Sequence, residues 1–213
     1  MDEIRQIVEY YDARAKYYDD RDLSARSDDI NGIREICRDF FLGRKVLEVA
    51  CGTGTWTRYI ADDASFVHAT DINDSMLNIA QSHTRSKANM ILSKADAYDL
   101  SPISGTFTAG IAAWWISHVP KSALTSFFEG LHRKLDPGSI VAIMDDTHAV
   151  GDTIARSDAS GNTFTKRYLR DGRGFEIVKN FYTADNFTEL LKPFTSDVEF
   201  ISLKYHWLAY YRI

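Results

Sequence analysis

Val46-Leu47-Glu48-Val49-Ala50-Cys51-Gly52-Thr53-Gly54 is a short apolar run that carries an acid and ends in a loop of small residues. Thr55-Trp56-Thr57 then opens a helical pattern, so the order is strand, turn, helix. Such a turn lets a ligand lie against bare backbone and sets a helix N-terminus beside it. Glu48 would repel a pyrophosphate, whereas it suits a ligand carrying an ammonium group or hydroxyls. The spacing is not the dinucleotide fingerprint G-x-G-x-x-G, because Trp56 and Thr57 fall where its last glycine should be. Taken alone, the stretch also reads as an ordinary strand-to-helix turn.

Outward from this turn, the hydrophobic pattern places strands at 45–49, 65–70, 90–92, 107–113 and 139–144. Helices fall between them: about two turns after Gly54, a helix from Asp74 (its expected N-cap) to about 86, and one over 121–135 closed by Asp136-Pro137-Gly138. Strands alternating with helices give a parallel sheet. After a helix at 183–192, stopped by Pro193, two strands (197–203 and 205–212) follow with no helix between them, so they are antiparallel neighbours. Upstream lie amphipathic helices at 2–18, with Ile4, Ile7, Val8 and Tyr11 on one face, and at 28–42, ending before Gly43. Residues 150–182 fit no βαβ unit and are expected as an insertion. The expectation is one domain over 1–213, with residues 1–42 as a helical cap and 150–182 over the substrate site.

The 213 residues suffice for one α/β domain with a sizeable core. A net charge of −5 argues against a polyanionic partner such as nucleic acid. Cys37 and Cys51 form no disulfide framework and fit a reducing compartment. Met1-Asp2-Glu3-Ile4-Arg5 lacks the apolar core of a signal peptide, and no apolar run reaches membrane-spanning length. A soluble, cytoplasmic protein, monomeric or homodimeric, is expected.

The opening stretch resembles motif I of the class I S-adenosylmethionine (SAM)-dependent methyltransferases, acid-x-Gly-x-Gly-x-Gly, standing here as Glu48-x-Ala50-x-Gly52-x-Gly54 with Ala50 in place of the first glycine. The resemblance implies a Rossmann-like fold: a seven-stranded, mostly parallel sheet with a C-terminal antiparallel hairpin and helices on both faces. It implies SAM as cofactor, leaving as S-adenosylhomocysteine. The positions it assigns to the cofactor are Tyr17, Glu48, Ala50, Gly52, Gly54, Trp56, Asp71, Ile72, Met76, Asp96, Ala97 and Trp114. Asp71 would accept the ribose hydroxyls and Asp96 the adenine amino group, with Ala97 against the base; helix capping and a surface turn are the other readings of the two acids.

Ala113-Trp114-Trp115-Ile116-Ser117-His118-Val119-Pro120 follows the fourth strand, where open α/β sheets bind ligands. Trp114 or Trp115 supplies an aromatic wall for a sulfonium, or packs in the core. His118 has the native pKa of a general base, although Ser-His-Val-Pro also reads as a turn before a helix. In similar enzymes a Tyr ending the N-terminal helix reaches the methyl-transfer centre, which makes Tyr18 the second catalytic expectation. Trp115, His148, Arg167 and Tyr168 are the substrate-binding expectations. The insertion's Arg156, Lys166, Arg167, Arg170 and Arg173 would suit a substrate carboxylate or other anionic group, or are surface charge partly cancelled by Asp152, Asp158, Asp171 and Glu176.

Absences narrow the reading. The Asn/Asp-Pro-Pro-aromatic of amino-methylating DNA enzymes, the Pro-Cys nucleophile of cytosine-C5 enzymes and the two-Glu hairpin of protein-arginine enzymes are missing. Metal-dependent catechol-type enzymes carry an Asp where this chain has Ala113, so Asp145 and Asp146 lack a partner and no metal is expected. The expected function is metal-independent methylation of a small molecule, at O or N, by in-line displacement. A non-catalytic SAM-binding partner protein and a nucleotide-cofactor oxidoreductase are the alternatives.

Overall fold

A computed structural model describes residues 2–213. The chain opens with α1 (Asp2–Arg14), two short 3-10 turns (Ala15–Asp20 and Ser24–Arg26) and α2 (Ser27–Phe41). The alternating part follows as β1 (Lys45–Val49), α3 (Thr55–Asp63), β2 (Phe66–Asp71), α4 (Asp74–His83), β3 (Met90–Lys94), β4 (Phe107–Ala113), α5 (Leu124–His132) and β5 (Leu135–Asp146). Beyond it come β6 (Arg156–Ser157), β7 (Thr163–Tyr168), β8 (Gly174–Val178), α6 (Ala184–Leu191), β9 (Val198–Ser202) and β10 (His206–Arg212).

The main sheet is seven-stranded in the order β3-β2-β1-β4-β5-β10-β9. Its first five strands pair in parallel, and β10 runs antiparallel to both β5 and β9. The expected C-terminal hairpin is therefore present. Because side chains alternate along a strand, Val46 and Leu47 enter different cores: Val46 joins α2 and α3 on one face, Leu47 joins α5 and α6 on the other. Helices thus cover both faces, as the resemblance implied. Strand order reverses beside β1, where β1 lies between β2 and β4, and ligands of open α/β sheets bind at such a point.

Several boundaries differ from the sequence reading. The first helix stops at Arg14, and Tyr17 leaves helical geometry at φ −135°, ψ 20°. Asn73, not Asp74, holds the N-cap position of α4; Asp74 is the first helical residue and pairs with Lys94. Asp136-Pro137-Gly138 does not end a helix but makes a bulge inside β5: Leu135 pairs with Phe107, and regular pairing resumes at Ile140 with Ala109. The insertion holds its own antiparallel sheet, β6-β7-β8. Ile7 and Tyr10 of α1 pack on Leu169 and Ile177 of that insertion, so the two irregular parts of the chain meet above the sheet. Among the described residues, no helix is long and apolar enough to cross a membrane.

Candidate functional site

A cleft of about 910 Å³, counting its open mouth, lies beyond the C-terminal ends of β1, β2 and β4. One wall is the β1–α3 turn. There Ala50 and Gly52 both take left-handed backbone, each at φ 56°. For Ala50 this conformation costs roughly 1–2 kcal/mol, so the backbone that the motif's first glycine would supply is kept with a Cβ on it. Gly54, at φ 79°, works differently. A Cβ there would lie 3.1 Å from the Cβ of Ala80, so this glycine lets α3 close on α4 and does not line the cleft.

The floor is acidic. Glu48 is buried, its Oε2 has no hydrogen-bond partner, and burial together with the nearby Asp71 pushes its pKa up to about 8. Asp71 is also buried; its two carboxylate oxygens accept the backbone N–H groups of Gly52 and Asn73, each at 2.9 Å. Burial raises its pKa and those bonds oppose the rise. Each oxygen keeps a second lone pair for a ligand hydroxyl. Asp96 stands exposed at the cleft's side and accepts the Tyr98 N–H at 2.9 Å. Ile72, Met76 and Ala97 supply apolar lining beside these acids.

The opposite wall joins α1 to the segment after β4. Trp114 holds φ 55°, a second left-handed non-glycine residue, and its ring meets Trp56 edge-on at 6.1 Å. The Tyr11 hydroxyl lies 2.9 Å from His118 Nε2, and His118 Nδ1 lies 2.7 Å from the Val178 carbonyl oxygen. A carbonyl only accepts, so Nδ1 carries the proton, Nε2 accepts, and Tyr11 donates to it. Burial, with Lys179 nearby, depresses His118 to about 3. The same burial raises the Tyr11 hydroxyl well above its ordinary value. Behind this pair, the buried Lys179 ammonium donates to Asp145 (3.1 Å), Asp146 (2.8 Å) and Ser117 Oγ (3.0 Å).

Of the residues expected at the site, Tyr18, Glu48, Ala50, Gly52, Trp56, Asp71, Ile72, Met76, Asp96, Ala97, Trp114, Trp115 and His118 line this one cleft. Tyr17, Gly54, His148, Arg167 and Tyr168 do not. The break at Tyr17 turns its ring out to the Arg170 guanidinium, 4.6 Å away. His148 stacks on Phe181 at 3.9 Å, and Tyr168 is 69% exposed. Arg167 is held by Asp152 at 2.6 Å. Arg156, Arg170 and Arg173 are likewise paired, with Glu176, Asp20 and Asp171. Asp145 and Asp146 serve Lys179, and no cluster of metal-ligating side chains occurs among the described residues. Sequence reasoning placed Tyr11 on the apolar face of α1 without giving it a role; its signal was a hydroxyl on a buried face, which needs a partner.

Residues 46–138 match the family model described as a methyltransferase domain. The demethylmenaquinone methyltransferase of Staphylococcus epidermidis is 28% identical over 106 residues, which cover 48% of this chain and 43% of that protein. The chain thus spans less than half the length of the curated relatives it matches. A solved structure described as a DhpI-SAH complex superposes with a TM-score of 0.83 at 28% identity, covering 98% of this chain and 95% of that one. A DhpI-SAM-HEP complex gives 0.82 at 28% identity, covering 98% and 97%. The strand order and the acid-floored turn define a Rossmann-like nucleoside-binding class. Within that class, the chain is similar to the class I SAM-dependent methyltransferases, by the methyltransferase-domain match over residues 46–138 and by its superposition on the SAM- and SAH-bound structures. Its residues fit that family's cofactor: the unpartnered Glu48 Oε2 suits a cation, and a Cβ built on Gly52 meets nothing within 4 Å, so the backbone beside it is open to a ligand.

Proposed function

We propose that this chain methylates a small-molecule acceptor at oxygen or nitrogen, without a metal, as one domain whose cap (α1 and the turns after it) and insertion complete the cleft. The bound cofactor supplies an electrophilic methyl group on a sulfonium. Glu48 holds its ammonium end, Asp71 its ribose hydroxyls, and Asp96 and Ala97 its base, while Trp114 offers a π face to positive charge. The observation that carries the reading is that the Tyr11–His118 pair and the unpartnered Glu48 carboxylate open into the same cleft.

The pair's geometry supports a positioning role. With its proton directed to His118 Nε2, the Tyr11 oxygen presents lone pairs that can accept from an acceptor O–H or N–H and aim its nucleophilic lone pair. His118, depressed to about 3, holds a proton poorly, so it orients Tyr11 rather than storing the acceptor's proton. The acceptor's proton leaves to water, and Tyr11 and His118 keep their own protons. Tyr18, on the same wall, bounds the acceptor's side. The test is transfer of labelled methyl from SAM to a panel of small alcohols, phenols and amines. Transfer lowered about a hundredfold by Tyr11→Phe with SAM binding retained supports the reading; SAM binding without transfer to any acceptor favours a binding module.

A further inference from the structure

The basic groups around the cleft differ in one respect. Arg26 and Lys179 share Asp146, and Arg167 has Asp152, each within 4.0 Å. Arg21 has no carboxylate at ion-pair distance among the described residues. Its guanidinium carbon lies 4.0 Å from the centre of the Tyr18 ring and 5.9 Å from that of Trp114, and both rings line the cleft. Arg21 Nε donates to the Tyr18 carbonyl at 3.1 Å, which fixes the head; the Tyr18 side chain and the more distant Asp146 also favour its charge. Arg14, also without a carboxylate partner, places its guanidinium 5.4 Å from the same Tyr18 ring.

Two guanidinium groups on one tyrosine repel each other, and half-burial weakens their hydration. Aromatic contact compensates only in part. The surroundings of the cleft are divided in sign: Glu48, Asp71 and Asp96 lie on the cofactor floor, while Arg21 and Arg14 do not line the cleft themselves but stand against the ring of Tyr18, which does. A cationic donor belongs on the first side and an anion on the second.

We propose that Arg21 is the anchor of the methyl acceptor and that the acceptor carries an oxyanion, a carboxylate or a phosphate-type group, held by the Arg21 fork beside Tyr18. The proposal rests on the methyltransferase reading for the donor side. It moves anion recognition from the insertion, whose Arg156, Arg167, Arg170 and Arg173 are paired with carboxylates, to the segment after α1. A planar fork suits either oxyanion better than an ammonium does.

The test is a calorimetric titration of the protein, with and without saturating S-adenosylhomocysteine, using acetate, inorganic phosphate and neutral acetamide as probes. At least one anion is expected to bind and acetamide not. Arg21→Gln should weaken anion binding at least tenfold, Arg21→Lys less, with S-adenosylhomocysteine affinity unchanged within twofold in both. The stronger of the two anions identifies the acceptor's group. Equal anion binding by wild type and Arg21→Gln, or no anion binding by the wild type in either state, overturns the proposal. Failure of S-adenosylhomocysteine to bind overturns the donor reading instead, and the titrations without it still decide the role of Arg21.

Discussion

Pairing of Glu48 with the cofactor's ammonium would make binding a proton-linked event. Its carboxyl is buried, has one oxygen without a partner, and is held at about 8, so at pH 6.5 it is almost wholly protonated before the ligand arrives. A free α-amino group, with a pKa near 7.7–8.0, is by then already an ammonium and takes up almost no proton. If the ammonium pairs with Glu48, the carboxyl must ionise, and binding releases close to one proton. The sign follows from linkage: the complex binds fewer protons than the free protein, so affinity rises with pH, by about tenfold per unit, until Glu48 is ionised without help. Between pH 6.5 and the Glu48 pKa this amounts to about 2 kcal/mol, at about 1.36 kcal/mol per unit. A bond to a charged group contributes roughly 1.5–3 kcal/mol. Glu48→Gln should therefore weaken SAM by about one to two orders of magnitude at pH 8 and have little effect at pH 6.5, where the cost of ionisation has consumed most of the gain. The assay is titration calorimetry in two buffers of different ionisation enthalpy, which counts protons directly. No proton release at pH 6.5 by the wild type, or an equal loss in Glu48→Gln at both pH values, would refute the pairing.

Three further outcomes are expected. Asp71→Ala should weaken SAM by roughly 1.5–3 kcal/mol and also destabilise the fold, because the Gly52 and Asn73 N–H groups lose their acceptor at about 1–3 kcal/mol each; thermal unfolding beside calorimetry separates the two effects. Tyr11→Phe should lower kcat by about a hundredfold with the KM for SAM little changed, as befits a group acting on the acceptor; an unchanged kcat would remove Tyr11 from the reaction. Lys179→Met should cost about 3–5 kcal/mol in urea unfolding, since it leaves the buried Asp145 without its cation and Asp146 with Arg26 alone.

What the sequence disclosed was governed by local order. The strand-turn-helix at Val46–Gly54 is contiguous, and its chemistry follows from the direction in which a strand ends; the acids Glu48, Asp71 and Asp96 reach the cleft for that reason. The terminal hairpin was legible because two strands so close together have one simple pairing. Charge pairing was not legible. Arg156 meets Glu176 across a sheet whose register the sequence does not announce, and Lys179 reaches back to Asp145 and Asp146. The sequence shows acids near enough to cancel the insertion's basic residues but not which pairs with which, and Arg21, among acidic neighbours, carries no local signal of its place. Tyr17 and Tyr18 were separated by a departure of one residue from helical geometry, which propensity does not locate.

The sheet order bears on how the protein is made. β10 lies between β5 and β9, so an interior place in the main sheet is filled by residues 206–212. Until those residues leave the ribosome, β5 has a bare edge and β9 has no strand to join it to the rest. The Tyr11–His118 pair likewise waits for Val178, whose carbonyl fixes the imidazole tautomer. Synthesis thus delivers the β1–α3 turn early and the opposite wall late. Nascent chains halted before β8 should hold a half-built pocket, and those halted before β10 an open apolar edge that invites chaperones.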